Sequence, residues 1–148
     1  MMRTQFISGR RVFIMMQQVS IYAENKKGML ENITEVLLKG DINILGSVTN
    51  DSAEYGIVRM VVSDPERTVK SLTKAGYLCK LQNVLGVEVA DEVGNLNRLL
   101  AVLKNANINV NYIYLSFNRA SGKPIMVFSC DDPFEVEDNL KEKGFTVL

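Results

Sequence analysis

The sequence predicts an α+β protein built from two copies of a β-α-β-β-α-β unit. Three observations predict it. Runs of period-two alternation change places with runs at helical spacing in that order. The order then restarts, with matching residue classes 66 positions further on. Helix boundaries also recur in register: Asp64-Pro65 and Asp132-Pro133 open helices, and Gly76 and Gly144 close them.

Residues 1–16 have no counterpart before the second copy and read as an N-terminal extension, either an extra strand or a loose tail. Their apolar patch, residues 12–16, falls short of the ~7–15 apolar residues and small-residue cleavage site of a secretory signal. The first copy spans residues 17–83. Val19, Ile21 and Ala23 alternate with Gln18, Ser20 and Tyr22, as in a half-buried strand. After a turn at residues 25–28, Leu30, Ile33, Val36 and Leu37, with Met29 beside them, form a helical stripe that stops near Gly40. A second strand is expected over residues 44–50, a turn over 51–54, and a third strand over 55–63. The helix opened by Asp64-Pro65 carries Val69, Leu72 and Ala75, and a fourth strand follows at residues 77–81. Gln82 and Asn83 then read as the only linker.

The second copy spans residues 84–148. Leu85, Val87 and Val89 repeat the first strand, and Leu96, Leu99, Val102 and Leu103 repeat the first helical stripe. Past the hairpin the offset becomes 68, which places two extra residues in the turn at 118–123. Such a unit closes as an antiparallel four-stranded sheet with both helices on one face, the ferredoxin-like arrangement. In the second copy Tyr112 and Tyr114 lie on one side of a strand and Ile113, Leu115 and Phe117 on the other. A strand apolar on both faces calls for cover on both, so the open face is expected under another protomer or under the N-terminal extension.

Composition narrows the function. Lysine plus arginine and aspartate plus glutamate number 17 each among 148 residues, leaving no basic excess for nucleic acid or an anionic membrane. There is no histidine, which removes the commonest general base and metal ligand. The two cysteines form no CxxC pair, arguing against a thiolate metal site or a disulfide framework and for a reducing, cytoplasmic setting. No apolar run approaches the ~20 residues of a membrane span. As for catalysis, Asp132 is better read as a helix cap and Cys130, opposite Val62 in the alignment of the copies, as a core residue. The stacked-aromatic pattern of RNA-recognition modules is missing from the third strand of either copy.

The stretch that joins first strand to first helix is Asn25-Lys26-Lys27-Gly28-Met29-Leu30, and again Asp91-Glu92-Val93-Gly94-Asn95-Leu96. A helix N-terminus presents unpaired amides and partial positive charge, which suits a carboxylate. Glycine lets a ligand approach the backbone. On these residues alone, Gly28 and Gly94 serve equally as turn glycines, and Asn25 and Asp91 equally as helix caps.

A second landmark, Asp41-Ile42-Asn43-Ile44, returns as Asn107-Ile108-Asn109-Val110. Together the two landmarks resemble those of the ACT domain, a regulatory module that binds amino acids and related ligands. The resemblance covers residues 17–81 and 84–148. Lys27 and Val93 stand where the family usually has proline, leaving the loops less rigid. The resemblance implies a stand-alone, non-catalytic tandem ACT protein without cofactor, a homodimer that binds an amino acid or similar metabolite at domain interfaces. The alternative it implies is a regulatory subunit acting in trans on an enzyme of amino-acid metabolism, such as acetohydroxyacid synthase. Carried over from the family, the ligand-binding residues are Asn25, Gly28, Met29, Asn43 and Ile44, then Asp91, Gly94, Asn95, Asn109 and Val110. Lys27 joins them on charge: with Lys26 it makes the first loop the expected carboxylate site, whereas the second loop carries Asp91-Glu92.

Overall fold

Alternation in the first run produces β3 (Gln17–Glu24), with Val19, Ile21 and Ala23 buried in one core and Gln18 and Ser20 buried on the opposite face. It follows a hairpin of β1 (Arg3–Ile7) and β2 (Arg10–Ile14), whose antiparallel register places Arg3 opposite Ile14. The structure, a computed structural model, describes residues 3–7, 10–50 and 55–148, so the turn expected at 51–54 lies outside it. The chain divides into two compact units, Gln17–Gln82 and Asn83–Leu148, and Met1–Met16 clusters with the latter.

In the first unit β3 is followed by α1 (Met29–Lys39), β4 (Ile44–Asn50), β5 (Tyr55–Val62), α2 (Pro65–Lys74) and β6 (Leu78–Asn83). The strands lie side by side as β4-β5-β3-β6, with β5 antiparallel to both neighbours. This is the expected ferredoxin-like order, with the core between one sheet face and the helices. The buried stripe of α1 is Met29, Ile33 and Leu37, as expected for the last two and for the neighbouring Met29; Val36 packs partly buried against the core, and Leu30 is left exposed. The cause is directional: a helical side chain covers the turn N-terminal to its own Cα, so the position just inside the bend meets the core first. In α2 the buried pair is Thr68 and Leu72. Ala75 is the exposed C-cap instead of a stripe member. Thr68 tolerates burial because its hydroxyl donates to the Asp64 carbonyl at 2.7 Å.

Asp64 caps α2 as expected, its carboxylate accepting from the Arg67 amide at 3.1 Å, and Asp132 does the same for Glu135 in the second unit at 3.3 Å. Arg67 does more. Its guanidinium donates to the carbonyls of Gly40 and Asp41, at the end of α1, where helical carbonyls lack intrahelical partners. The counterpart of Arg67 in the second copy is Glu135, which has no proton to donate.

The second unit repeats the order as β7 (Leu85–Glu88), α3 (Asn95–Asn105), β8 (Tyr112–Phe117), β9 (Pro124–Ser129), α4 (Pro133–Glu142) and β10 (Thr146–Val147), with strands adjacent as β10-β7-β9-β8. The two extra residues of the β8–β9 turn are tied down by Asn118. Its side-chain oxygen accepts from the amides of Ala120 and Ser121, and its amide donates to Glu88 at 2.6 Å. Gln82 and Asn83 are not a linker: both lie in β6, and the Gln82 side chain accepts from Ser20 at 2.7 Å.

Residues 15 and 16 build part of the second unit. Met15 is buried in the core with Leu85, Leu99 and Phe128. The carbonyl of Met16 accepts from the Val84 amide at 2.9 Å. A Cβ on Gly86 would come within 2.5 Å of the Met16 methyl and 3.3 Å of Ile125, so glycine there makes room for the methionine on the face away from the helices. Tyr114, Ser116, Ile125 and Val127 are buried on that face, as the apolar pattern of β8 requires.

Two outcomes follow. Arg67→Ala should destabilise the first unit by about 1 kcal/mol, the worth of an exposed hydrogen-bonded cap, while Glu135→Ala stays within about 0.5 kcal/mol; urea titration checks both. Met15→Ala should cost about 2–5 kcal/mol and speed amide exchange in α3 and α4 but not in α1, though Met15 precedes the first unit in the chain. Faster exchange confined to α1 would contradict this docking.

Candidate functional site

Each first helix begins behind a glycine in the left-handed region, Gly28 at φ 84° and Gly94 at φ 90°. An L side chain there is strained by about 1–2 kcal/mol, so the bend itself selects glycine. These glycines, not Asn25 and Asp91, take the N-cap position, and neither helix start has a side-chain cap from that position. The turns share their backbone bonding. Lys26 N–H donates to the Glu24 carbonyl and Met29 N–H to that of Lys26; Glu92 and Asn95 repeat this with Ala90 and Glu92.

The two copies differ at the next residue. Met29 is buried in the first core, its methyl 3.5 Å from where a Cβ on Gly56 would stand. Its counterpart Asn95 is 6 % exposed, and its side-chain amide turns back to donate to the Ala90 carbonyl. The facing residue differs as well: Gly56 of the first copy is Pro124 in the second. A cleft of about 510 Å³ opens between the second loop, the first turns of α3 and the ends of β8 and β9. Asp91, Glu92, Gly94, Asn95 and Asn97 form its polar side; Leu96, Leu100, Leu115, Phe117, Pro124 and Met126 form its apolar side. Leu115 and Phe117 are 46 % and 45 % exposed, so their apolar surface is presented to the cleft mouth.

Of the residues expected to bind a ligand in the second copy, Asp91, Gly94 and Asn95 come together here, with the Asn95 amide committed to holding the loop. Asn109 and Val110 do not join them. They line another cleft of about 430 Å³ at the far end of α3, with Lys104 and Asn107; Leu100 borders both. An 11-residue helix separates the two sets by about 16 Å at 1.5 Å per residue, so a single amino acid cannot touch both within one unit. Asn109 is also engaged, donating to Asn111 at 3.3 Å, which in turn donates to Asp131 at 3.4 Å.

The first copy shows the same separation. Asn25, Lys27 and Gly28 are exposed before α1, Met29 is in the core, and Asn43 and Ile44 follow the other end of the helix. The backbone N–H of Asn43 donates to the Ser63 hydroxyl at 2.9 Å. Lys26, part of the expected carboxylate site, pairs with Glu24 at 3.3 Å, an exposed contact worth little in stability that still offsets its charge.

Leu100, Leu115, Phe117 and Met126 escape a reading of either loop by itself, because they are brought in by other elements. A signal for them exists in the comparison of copies: Leu100 stands where the first copy has Thr34, Leu115 where it has Thr49, and Phe117 where it has Asp51.

Among the described residues no cluster of three metal-ligating side chains occurs, and no helix is long and apolar enough to cross a membrane. Comparison with known proteins places the scaffold. The profile of a family described as an ACT domain pair matches residues 14–146. A crystal structure of protein BT0572 from Bacteroides thetaiotaomicron is 30 % identical, with a TM-score of 0.81 over 89 % of this chain and 90 % of that one. The ligand-free regulatory subunit of aspartate kinase from Thermus thermophilus shares the fold at 13 % identity, with a TM-score of 0.60 over 84 % of this chain and 87 % of that one. The corresponding subunit from Thermus flavus gives 12 % and 0.59, over 83 % and 86 %. A search of curated proteins gave no match. With a family profile spanning nearly its full length and both units folded in the β-α-β-β-α-β order, the chain belongs to the family of ACT domain pairs.

Proposed function

We propose that this protein is a non-catalytic regulator that binds an amino acid or a similar small metabolite. The observation that carries the reading is the cleft at the second loop. Its volume falls in the range of about 300–1,000 Å³ typical of small-molecule sites, and three family-indicated residues, Asp91, Gly94 and Asn95, border it. The protein works as a homodimer in the cytoplasm, needs no cofactor, and acts by linkage: a ligand that prefers one arrangement of the domains shifts the population towards it. Binding to the folded state alone stabilises it by about 2.7 kcal/mol at 100 times Kd.

The chemistry of the side chains supports binding over turnover. The one buried thiol, Cys130, packs in the second core, where burial first and the charges of Asp131 and Asp132 next push its thiol up from the ordinary value. A raised thiol has less thiolate at neutral pH, the reverse of what a nucleophile needs. Asp132 is occupied as a helix cap.

A second reading is a subunit that acts in trans on an enzyme of amino-acid metabolism. The likeness to aspartate kinase regulatory subunits, which match over most of their own length, favours it over a purely free-standing sensor. Co-purification of a catalytic partner from the native cell separates the two.

A thermal-shift screen against the twenty amino acids and common α-keto acids should give a hit whose melting temperature rises roughly 5–10 °C near 100 times Kd; a flat panel would count against metabolite sensing. Thiol reagents applied to the folded protein at pH 7 should modify Cys79 well before Cys130, read by mass spectrometry. Faster modification of Cys130 would reopen the case for a catalytic thiol.

A further inference from the structure

Given that metabolite-binding reading, we infer that the ligand is an amino acid with an apolar side chain, such as leucine or phenylalanine, and that it occupies the second unit only. Three observations converge. The wall of the cleft is apolar: Leu96, Leu100, Leu115, Phe117 and Met126 face it from three different elements. Two of these, Leu115 and Phe117, are nearly half exposed, an arrangement that a ligand side chain would relieve by covering apolar surface. Opposite them, Asp91 and Glu92 give the mouth an acidic edge, complementary to an α-ammonium. The ligand's carboxylate then falls on the first-turn amides of α3, beside Leu96 and Asn97.

The first unit lacks the means. Its positions equivalent to Leu100, Leu115 and Phe117 are Thr34, Thr49 and Asp51. At the bend the first unit has Met29 against Gly56, where the second has Asn95 and Pro124, both lining the cleft. The asymmetry also opposes acidic ligands: a side-chain carboxylate placed against leucine and phenylalanine loses its hydration without a partner, beside two aspartate and glutamate charges of the same sign. Selection is thus for apolar and against acidic amino acids, despite a first loop that carries two lysines.

The test is calorimetry on the full-length protein with leucine, phenylalanine, lysine and glutamate, alongside the variant Leu115→Thr/Phe117→Asp, which installs the first copy's residues at exposed positions. The expected result is one site per chain for leucine or phenylalanine, no heat with glutamate, and at least a tenfold loss of affinity in the variant with its unliganded melting temperature kept. Thr49→Leu with Lys26 and Lys27 intact should not alter the second-unit affinity. Two sites per chain, a preference for glutamate or lysine, or full affinity in the variant would overturn the inference while leaving metabolite binding standing. A variant that turns from dimer to monomer by light scattering yet still binds leucine would reassign the patch to contact between copies. Failure of all twenty amino acids to bind would instead remove the underlying reading, and this one with it.

Discussion

Everything in each unit depends on a single backbone conformation: the left-handed glycine between first strand and first helix, Gly28 or Gly94. The strand arrives with one face apolar. The helix must return across that same face, and the positive φ is what reverses the chain within a few residues. Once the helix is aimed, the residue just inside the bend is driven towards the core, and Ile33 with Leu37, or Leu99 with Leu103, follow at one and two turns. The exposed Leu30 and Leu96 are consequences of the same aim. A Cβ on either glycine would meet no neighbour within 4 Å, so what selects glycine is torsional and not steric. A ligand can therefore approach this backbone without a side chain in its path.

The same scaffold, used twice, has been finished in two ways. In the first unit a methionine fills the space behind the bend, and a guanidinium from α2 closes the end of α1. In the second an asparagine fastens its loop from below, Pro124 stands where the first has Gly56, and leucine and phenylalanine replace threonine and aspartate in the sequence. One unit spends these positions on packing and the other on a recess. Duplication makes such a division possible, since the same fold accepts different residues at these positions in its two copies.

Much of this was legible in the residues. The Asp-Pro openings are readable because a cap is a short-range interaction: Asp64 meets an amide three residues away. The strand order is readable because period two and period 3.6 leave different marks. Less legible was anything that depends on where a helix axis lies over its sheet. Whether Met29 or Leu30 faces the core is a matter of about one hundred degrees of rotation, which a stripe of adjacent apolar residues does not resolve. The candidate site was half legible for a related reason. Its polar edge is local to one loop, but its apolar wall is assembled from α3, β8 and β9, and the residues after the far end of the helix belong to a different recess. Nor does any local pattern tell that Gln82 and Asn83 continue a strand.

The placement of Met15 in the second core, with Met16 bonded to Val84 beside it, has a consequence for how the protein is made. A ribosome delivers these residues before the first unit and their partners after it. The first unit can close as soon as Gln82 has emerged, whereas Met15 must wait, exposed, for Leu85, Leu99 and Phe128 to be synthesised. The second unit therefore completes itself by closing a loop that contains an entire folded neighbour. The entropy of such closure grows only slowly with loop length, and a neighbour already folded shortens the effective chain further. The delay falls on kinetics: an apolar pair is held in solution for the duration of translation, at the stage when nascent chains are most prone to associate wrongly.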